Sequence, residues 1–310
     1  MIFGVYTGKS PIDLMEPFYL ASELDVTVDP IFVGGTLRMN EIGQTYAQDF
    51  TLANLASSTI DQNGNHSVFS GEFTDAVAGT PGYITIAGTS GSVTFSGTNN
   101  TYTGTTTVST GPLRAGAVNT LSPSSNMVVA TNGRLELNGY SQAVAGLTHS
   151  GFISLSGSGV VGTELSTTNY IGGGILAMNT TLGVDGSPSD VLVIDSGTAT
   201  GTTTLRITNV GGSGAQTTGD GILVVEAING ATTSSGAFVL ETSPLIVGNY
   251  RYQLYQGGLG GSNPNNWYLR GTLISPTNLA VSVPALNPAA LVLLAFALAG
   301  LALQRRRRGA

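Results

Sequence analysis

Residues 96–108 read Ser96-Gly97-Thr98-Asn99-Asn100-Thr101-Tyr102-Thr103-Gly104-Thr105-Thr106-Thr107-Val108. The stretch opens on residues that tolerate sharp or left-handed backbone and closes on a β-branched run, so it reads as a turn delivering a strand. The same grammar continues on both sides. Ser92-Val93-Thr94-Phe95 precedes it, and Met127-Val128-Val129 and Arg134-Leu135-Glu136-Leu137 follow, separated by Asn-Gly, Thr-Asn-Gly and Ser-Gly-Ser-Gly breaks. Strands this short cannot bury an apolar face alone; they must stack on one another.

An imperfect repeat suggests how. Gly35-Thr36-Leu37-Arg38 is echoed by Gly111-Pro112-Leu113-Arg114, and Ile60-Asp61-Gln62-Asn63-Gly64 by Leu135-Glu136-Leu137-Asn138-Gly139. The uneven spacing excludes strict short-period solenoids. A right-handed parallel β-helix accounts for the pattern, with inward residues in apolar ladders and Gly, Asn and Thr at corners. At roughly two dozen residues per coil the body makes on the order of nine coils, stacked at ~4.8 Å. A sandwich or barrel fits the alternation as well.

Composition supports an ordered β body. Charged residues make up only 9% and Gly numbers 44 of 310, a balance unlike that of disordered chains. Four of the 11 basic residues are Arg305, Arg306, Arg307 and Arg308, which leaves seven basic against 18 acidic groups in the body. An acidic body with scattered arginines has no stripe to hold a phosphate backbone, so nucleic acid is not an expected partner. The absence of cysteine removes thiolate metal sites, disulfides and Cys nucleophiles.

The opening stretch also resembles the autotransporter-associated β-strand repeat, marked by a Gly-x-Asn-x-Tyr-x-Gly turn and a Thr-Thr-Val strand. Residues 31–90 resemble a weaker copy lacking the Tyr-Thr-Gly turn. Further on, Gly173-Gly174-Ile175-Leu176, Asp190-Val191-Leu192-Val193-Ile194, Gly219-Asp220-Gly221-Ile222 and Trp267-Tyr268-Leu269 occur in the order seen at the C-terminal end of pertactin-like passengers. The resemblance implies a β-helical passenger whose end segment assists folding on emergence. In that family a long β-barrel translocator follows. About three dozen residues follow Leu269, too few for a barrel, so self-secretion is not implied.

Those residues instead resemble a tripartite sorting tail of the PEP-CTERM or IPTL-CTERM kind. Val283, Pro284, Ala285 and Leu286 form the short motif, an apolar run to Leu303 the helix, and Arg305–Arg308 the basic end. The run is shorter than the ~20 residues a spanning helix wants, but snorkelling arginines favour insertion with the Arg cluster cytoplasmic and the body outside. The resemblance implies a sorting protease. Residues 1–9 lack a basic n-region and a cleavage site, so an upstream start is expected.

The expected organisation is an irregular segment over 1–30, a repeat-bearing β-helix over 31–165 and a passenger C-terminal region over 166–272. A linker and sorting motif over 273–288, a transmembrane helix over 289–304 and a cytoplasmic end over 305–310 complete it.

Candidate chemistry is sparse. Asp185, Asp190 and Asp195 flank a turn, and Asp220 and Glu226 stand apart, so ordinary turn roles are expected. Gly211 to Asp220 only faintly resembles a calcium nonapeptide. His66 and His149 read as isolated, solvent-facing turn residues. Tyr250, Tyr252, Tyr255, Trp267 and Tyr268 read as core and cap packing rather than a sugar platform. No catalytic, metal or cofactor residues are assigned. The expected protein is exported from a Gram-negative-type cell, membrane-anchored during sorting and then surface-associated. It acts as a non-catalytic structural or adhesive rod touching glycans or other proteins. A β-helical polysaccharide-active enzyme is the alternative, with Arg38, Arg114 and Arg134 to inspect, and a truncated remnant a third.

Overall fold

The computed structural model describes residues 29–157 and 159–274, the strands Asp13–Leu14 and Tyr19–Leu20, and helical residues 292–293, 295–300 and 304. The chain divides into two compact units, 1–273 and 274–310, each described by itself.

The first unit is a parallel β-solenoid of about seven turns. Its strands lie on three faces. One face carries Thr36–Arg38, Ser57–Asp61 and Tyr83–Ala87, then continues through parts of the longer strands Thr106–Ala115, Asn126–Glu136, Gln142–His149 and Glu164–Gly172. A second carries His66–Phe69, Ser92–Phe95, Phe152–Ser154, Ile175–Thr180, Thr203–Asn209 and Phe238–Leu240. The third begins with Asp13–Leu14, Ile31–Phe32, Phe50–Leu52 and Phe73–Asp75 and ends with Val191–Asp195 and Ile222–Ile228.

Period-2 alternation makes one row of each strand point inward, and parallel pairing repeats that row at every coil. Ser58, Ile84, Thr106, Met127, Leu147, Tyr170, Ala199 and Thr233 are successive register partners, eight rungs joined by seven steps. In the early coils the interior is aromatic. Ring centroids are 5.5 Å apart for Phe32 and Phe50, 5.0 Å for Phe50 and Phe73, and 4.8 Å for Phe73 and Phe95.

The stretch that opened the sequence reading turns a corner onto the third face where no strand forms. There, side-chain amides replace the missing ladder. Asn100, 3% exposed, accepts from Phe73 N through Oδ1 (2.5 Å) and donates through Nδ2 to Thr120 O (2.7 Å). One coil on, Gln142 Oε1 accepts from Thr120 N and Leu121 N at 2.8 and 2.9 Å. Tyr102 is fully buried, its hydroxyl 2.6 Å from Thr106 Oγ1. Gly104 passes so close to the coil below that a Cβ would stand 2.0 Å from Gly82 O, which only glycine allows.

Coil length is uneven: register partners are only 20 residues apart at Met127 and Leu147, and the late coils are the longest. Register partners are 23 residues apart at Thr36 and Thr59 and 35 apart at Thr203 and Phe238. The expected nine coils assumed a constant length; loops such as 181–190 and 210–221 take up the difference. The strand Glu164–Gly172 runs unbroken across 165–166. At the far end the parallel pattern stops: Trp267–Leu273 pairs antiparallel with Ile222–Ile228 and with Tyr250–Gln256, which pairs in turn with Leu245–Val247. This three-stranded lid closes the last coil.

In the second unit, 292–293, 295–300 and 304 are helical. The transmembrane helix expected over 289–304 needs correction: among the described residues no helix is long and apolar enough to cross a membrane. The apolar run 289–303 would reach only about 22 Å as a helix, against a hydrocarbon core of ~30 Å. Val283–Leu286 and Arg305–Arg308 lie outside the described residues.

Candidate binding face

The outer side of the second face gathers the body's most chemically varied surface. Alternation turns Leu113, Leu135, Leu176 and Leu205 inward, so the residues between them point out. Register then sets Arg114 beside Glu136 and Arg134 beside Phe152 in adjacent coils. Arg114 Nε donates to Glu136 Oε2 at 2.7 Å, and Arg134 donates to Glu136 Oε1 through Nε (3.2 Å) and Nη2 (3.0 Å). Burial pushes the Glu136 carboxyl upward, but the two guanidinium groups outweigh it and hold it below the usual carboxylate range. The Phe152 ring is approached by two cations, with Arg134 Cζ 4.4 Å and Arg206 Cζ 5.5 Å from its centroid. Arg206 forms a two-point pair with Glu241, Nε to Oε2 at 2.7 Å and Nη2 to Oε1 at 2.6 Å, which raises Arg206 and lowers Glu241.

At the early end of this face His66 is exposed, as expected, but not isolated. Its Nδ1 lies 2.8 Å from Ser92 Oγ, which also accepts from Arg114 Nη1 at 3.2 Å. Of the three arginines singled out in the sequence, Arg114 and Arg134 thus come together. Arg38 stands on another face, where its Nε is 3.1 Å from Asp61 Oδ2.

His149 overturns its expectation. It is 1% exposed and stands where the ladder Leu37, Ile60, Ile86, Val108 and Val129 places its next rung. Nε2 lies 2.7 Å from the Tyr170 hydroxyl, which lies 2.7 Å from Thr203 Oγ1. Burial drives the imidazole pKa down to about 4, only partly offset by the Gly151 backbone, so the ring is neutral.

The carboxylates separate into local anchors. Asp185 accepts from the backbone N–H groups of Thr218, Gly219 and Gly221 at 2.7–3.0 Å, which overcome desolvation and lower its pKa. Buried Asp190 accepts from Thr163 N, Asn179 N and Ser156 Oγ at 2.8–2.9 Å, yet desolvation still raises it. Asp195 takes hydrogen bonds from Asn229 and Ser196. Asp220, the last residue of the glycine-rich stretch, accepts from Leu259 N at 2.6 Å. Among the described residues no group of three or more His, Asp or Glu forms a metal-sized cluster. In the lid, Tyr252, Trp267 and Tyr268 are buried, whereas Tyr255 is 40% exposed with Arg270 Cζ 5.0 Å from its ring.

Comparison with known proteins agrees with this architecture. The family model Autochaperone Domain Type 1 matches residues 148–254, the late coils and the first part of the lid, and the IPTL-CTERM motif matches residues 281–308. The chain is 36% identical over 181 residues to the adhesin BmaC autotransporter of Brucella suis biovar 1 (strain 1330), covering 56% of this chain and 5% of that protein. It is 33% identical over 178 residues to the uncharacterized protein YuaQ of Escherichia coli (strain K12), covering 56% and 12%. The probable autotransporter YfaL of the same strain is 35% identical over 131 residues, covering 41% and 10%. The chain therefore spans a small fraction of the length of these relatives. The matched autochaperone domain, the IPTL-CTERM motif and the similarity to autotransporters together support an autotransporter-type passenger with a C-terminal sorting tail.

Proposed function

We propose that this passenger is a non-catalytic adhesive rod displayed at the surface of a Gram-negative-type cell. The observation that carries the reading is the continuous parallel stack closed by an antiparallel lid. Stacked coils set outward side chains in rows along the solenoid, so several weak contacts can act together through multivalency. Similarity to an adhesin autotransporter supports the same reading. In the proposed route the C-terminal tail directs sorting, and a sorting protease acts near Val283–Leu286 before release to the surface.

The test compares native host cells carrying the intact gene, a deletion of the gene, and a chain lacking residues 283–310. The expected result is attachment to glycan- or protein-coated surfaces by intact cells only, with the truncated chain absent from the surface fraction. Equal attachment by deletion cells would overturn the adhesive role. Unchanged surface location of the truncated chain would overturn the sorting role.

A further inference from the structure

The Arg114–Arg206 stripe differs from the rest of the surface. The body carries seven basic against 18 acidic side chains, yet three of those seven, Arg114, Arg134 and Arg206, lie on the outer side of one face. Among the described residues, Glu136 and Glu241 are the carboxylates that pair with them there. The three guanidinium groups are spread over four coil steps along the rod, about 19 Å at the spacing of parallel strands. Between them sits Phe152, approached by Arg134 at 4.4 Å and Arg206 at 5.5 Å.

We infer that this stripe is a binding track for an anionic, carboxylate-bearing polysaccharide lying along the rod axis, with Arg134, Phe152 and Arg206 at its centre. Charge complementarity selects the partner: among the described residues of an acidic body this strip gathers three arginines, so a polyanion is drawn to it and repelled by acidic surface elsewhere. Planar guanidinium groups suit carboxylates, because each has five N–H donors and the bonds to Glu136 and Glu241 use only some of them. The Arg206–Glu241 pair is solvent-exposed and therefore weak, so a ligand carboxylate can add to it or displace Glu241. The Phe152 ring offers an apolar surface for the C–H face of a sugar. A linear sugar chain repeats on nearly the same scale as the coils, so its charges can meet successive arginines. The inference rests on the adhesive reading and names its partner class.

The test uses the full chain and immobilised polygalacturonate, with neutral pullulan as reference. Wild-type protein is expected to bind polygalacturonate and not pullulan, with binding weakened by added NaCl. Arg134→Ala combined with Arg206→Ala should lower the affinity at least tenfold, and Phe152→Leu several-fold. Arg134→Lys should recover only part, since it restores charge without the planar fork. Arg251→Ala, on the exposed lid strand Tyr250–Gln256, should bind as wild type. Unfolding midpoints of all variants exclude loss of fold as the cause. Equal binding to pullulan, no binding to either polymer, or an equal loss in Arg251→Ala would each overturn the inference. Attachment of cells to surfaces free of polyanion would persist in that case, which separates failure of the track from failure of the adhesive role.

Discussion

The early and late coils hold the same stack together by different means. Between Phe32 and Phe95 the interior is dominated by aromatic rings in contact from coil to coil, with Ser58, Gln62 and Ser67 buried beside them. From His149 onward the interior contains linked polar groups: His149 to Tyr170 to Thr203, Asp190 within its ring of donors, and Trp267 Nε1 donating to Thr233 Oγ1 at 2.9 Å. On the ladder that runs from Leu37 to Val129 the change is visible where Val129 is followed in register by His149. Aromatic ladders are non-directional and tolerate coils of similar length. Hydrogen-bonded ladders are directional, and they fix the geometry of long loops and of a lid that must approach from the opposite sense.

This contrast can be broken experimentally. The largest effect is expected for Phe73→Ala, which removes a fully buried ring touching Phe50, Phe69 and Phe95. Denaturant unfolding should show a loss of about 3–5 kcal/mol. Next comes acid. The buried His149 has a folded pKa of about 4 against an ordinary 6.5, so the unfolded chain takes up a proton first as pH falls. Stability should be intact above pH ~6.5 and decline through the window down to pH ~4, by about 3 kcal/mol in all. His149→Leu should abolish that component of the pH profile; an unchanged profile would mean that His149 titrates normally. Tyr252→Phe is expected to cost about 1–3 kcal/mol. It removes a hydroxyl that accepts from Ala215 N at 2.8 Å and reaches Gly183 O at 2.8 Å, so it also loosens both loops under the lid. The smallest effect belongs to Arg206→Ala, whose pair with Glu241 is exposed. Its unfolding midpoint should stay at the wild-type value while polygalacturonate binding falls.

The strand grammar was legible because Gly, Asn and β-branched residues mark corners and strands directly. The early interior was legible too, since Phe69, Phe73 and Phe95 sit at alternating positions of short strands. His149 was not. Thr148-His149-Ser150-Gly151 has turn composition, and only the register with Val129 shows that the ring points inward. Equally hidden was the grouping of Arg134, Phe152 and Arg206. Those residues are 18 and 54 apart, and unequal coil lengths erase any fixed sequence spacing that could have linked them. Asn100 was noticed as a turn residue, but its work across three coils depends on a strand missing from the third face.

The antiparallel strand Trp267–Leu273 has one more consequence. Parallel coils present identical edges, so any coil can follow any other and rod length is a free variable. A strand running the other way ends that grammar on one side only and gives the rod a direction. Duplicating or deleting whole coils upstream would leave the lid's contacts with Ile222–Ile228 untouched, and reach could change over evolution without redesign of the closing end.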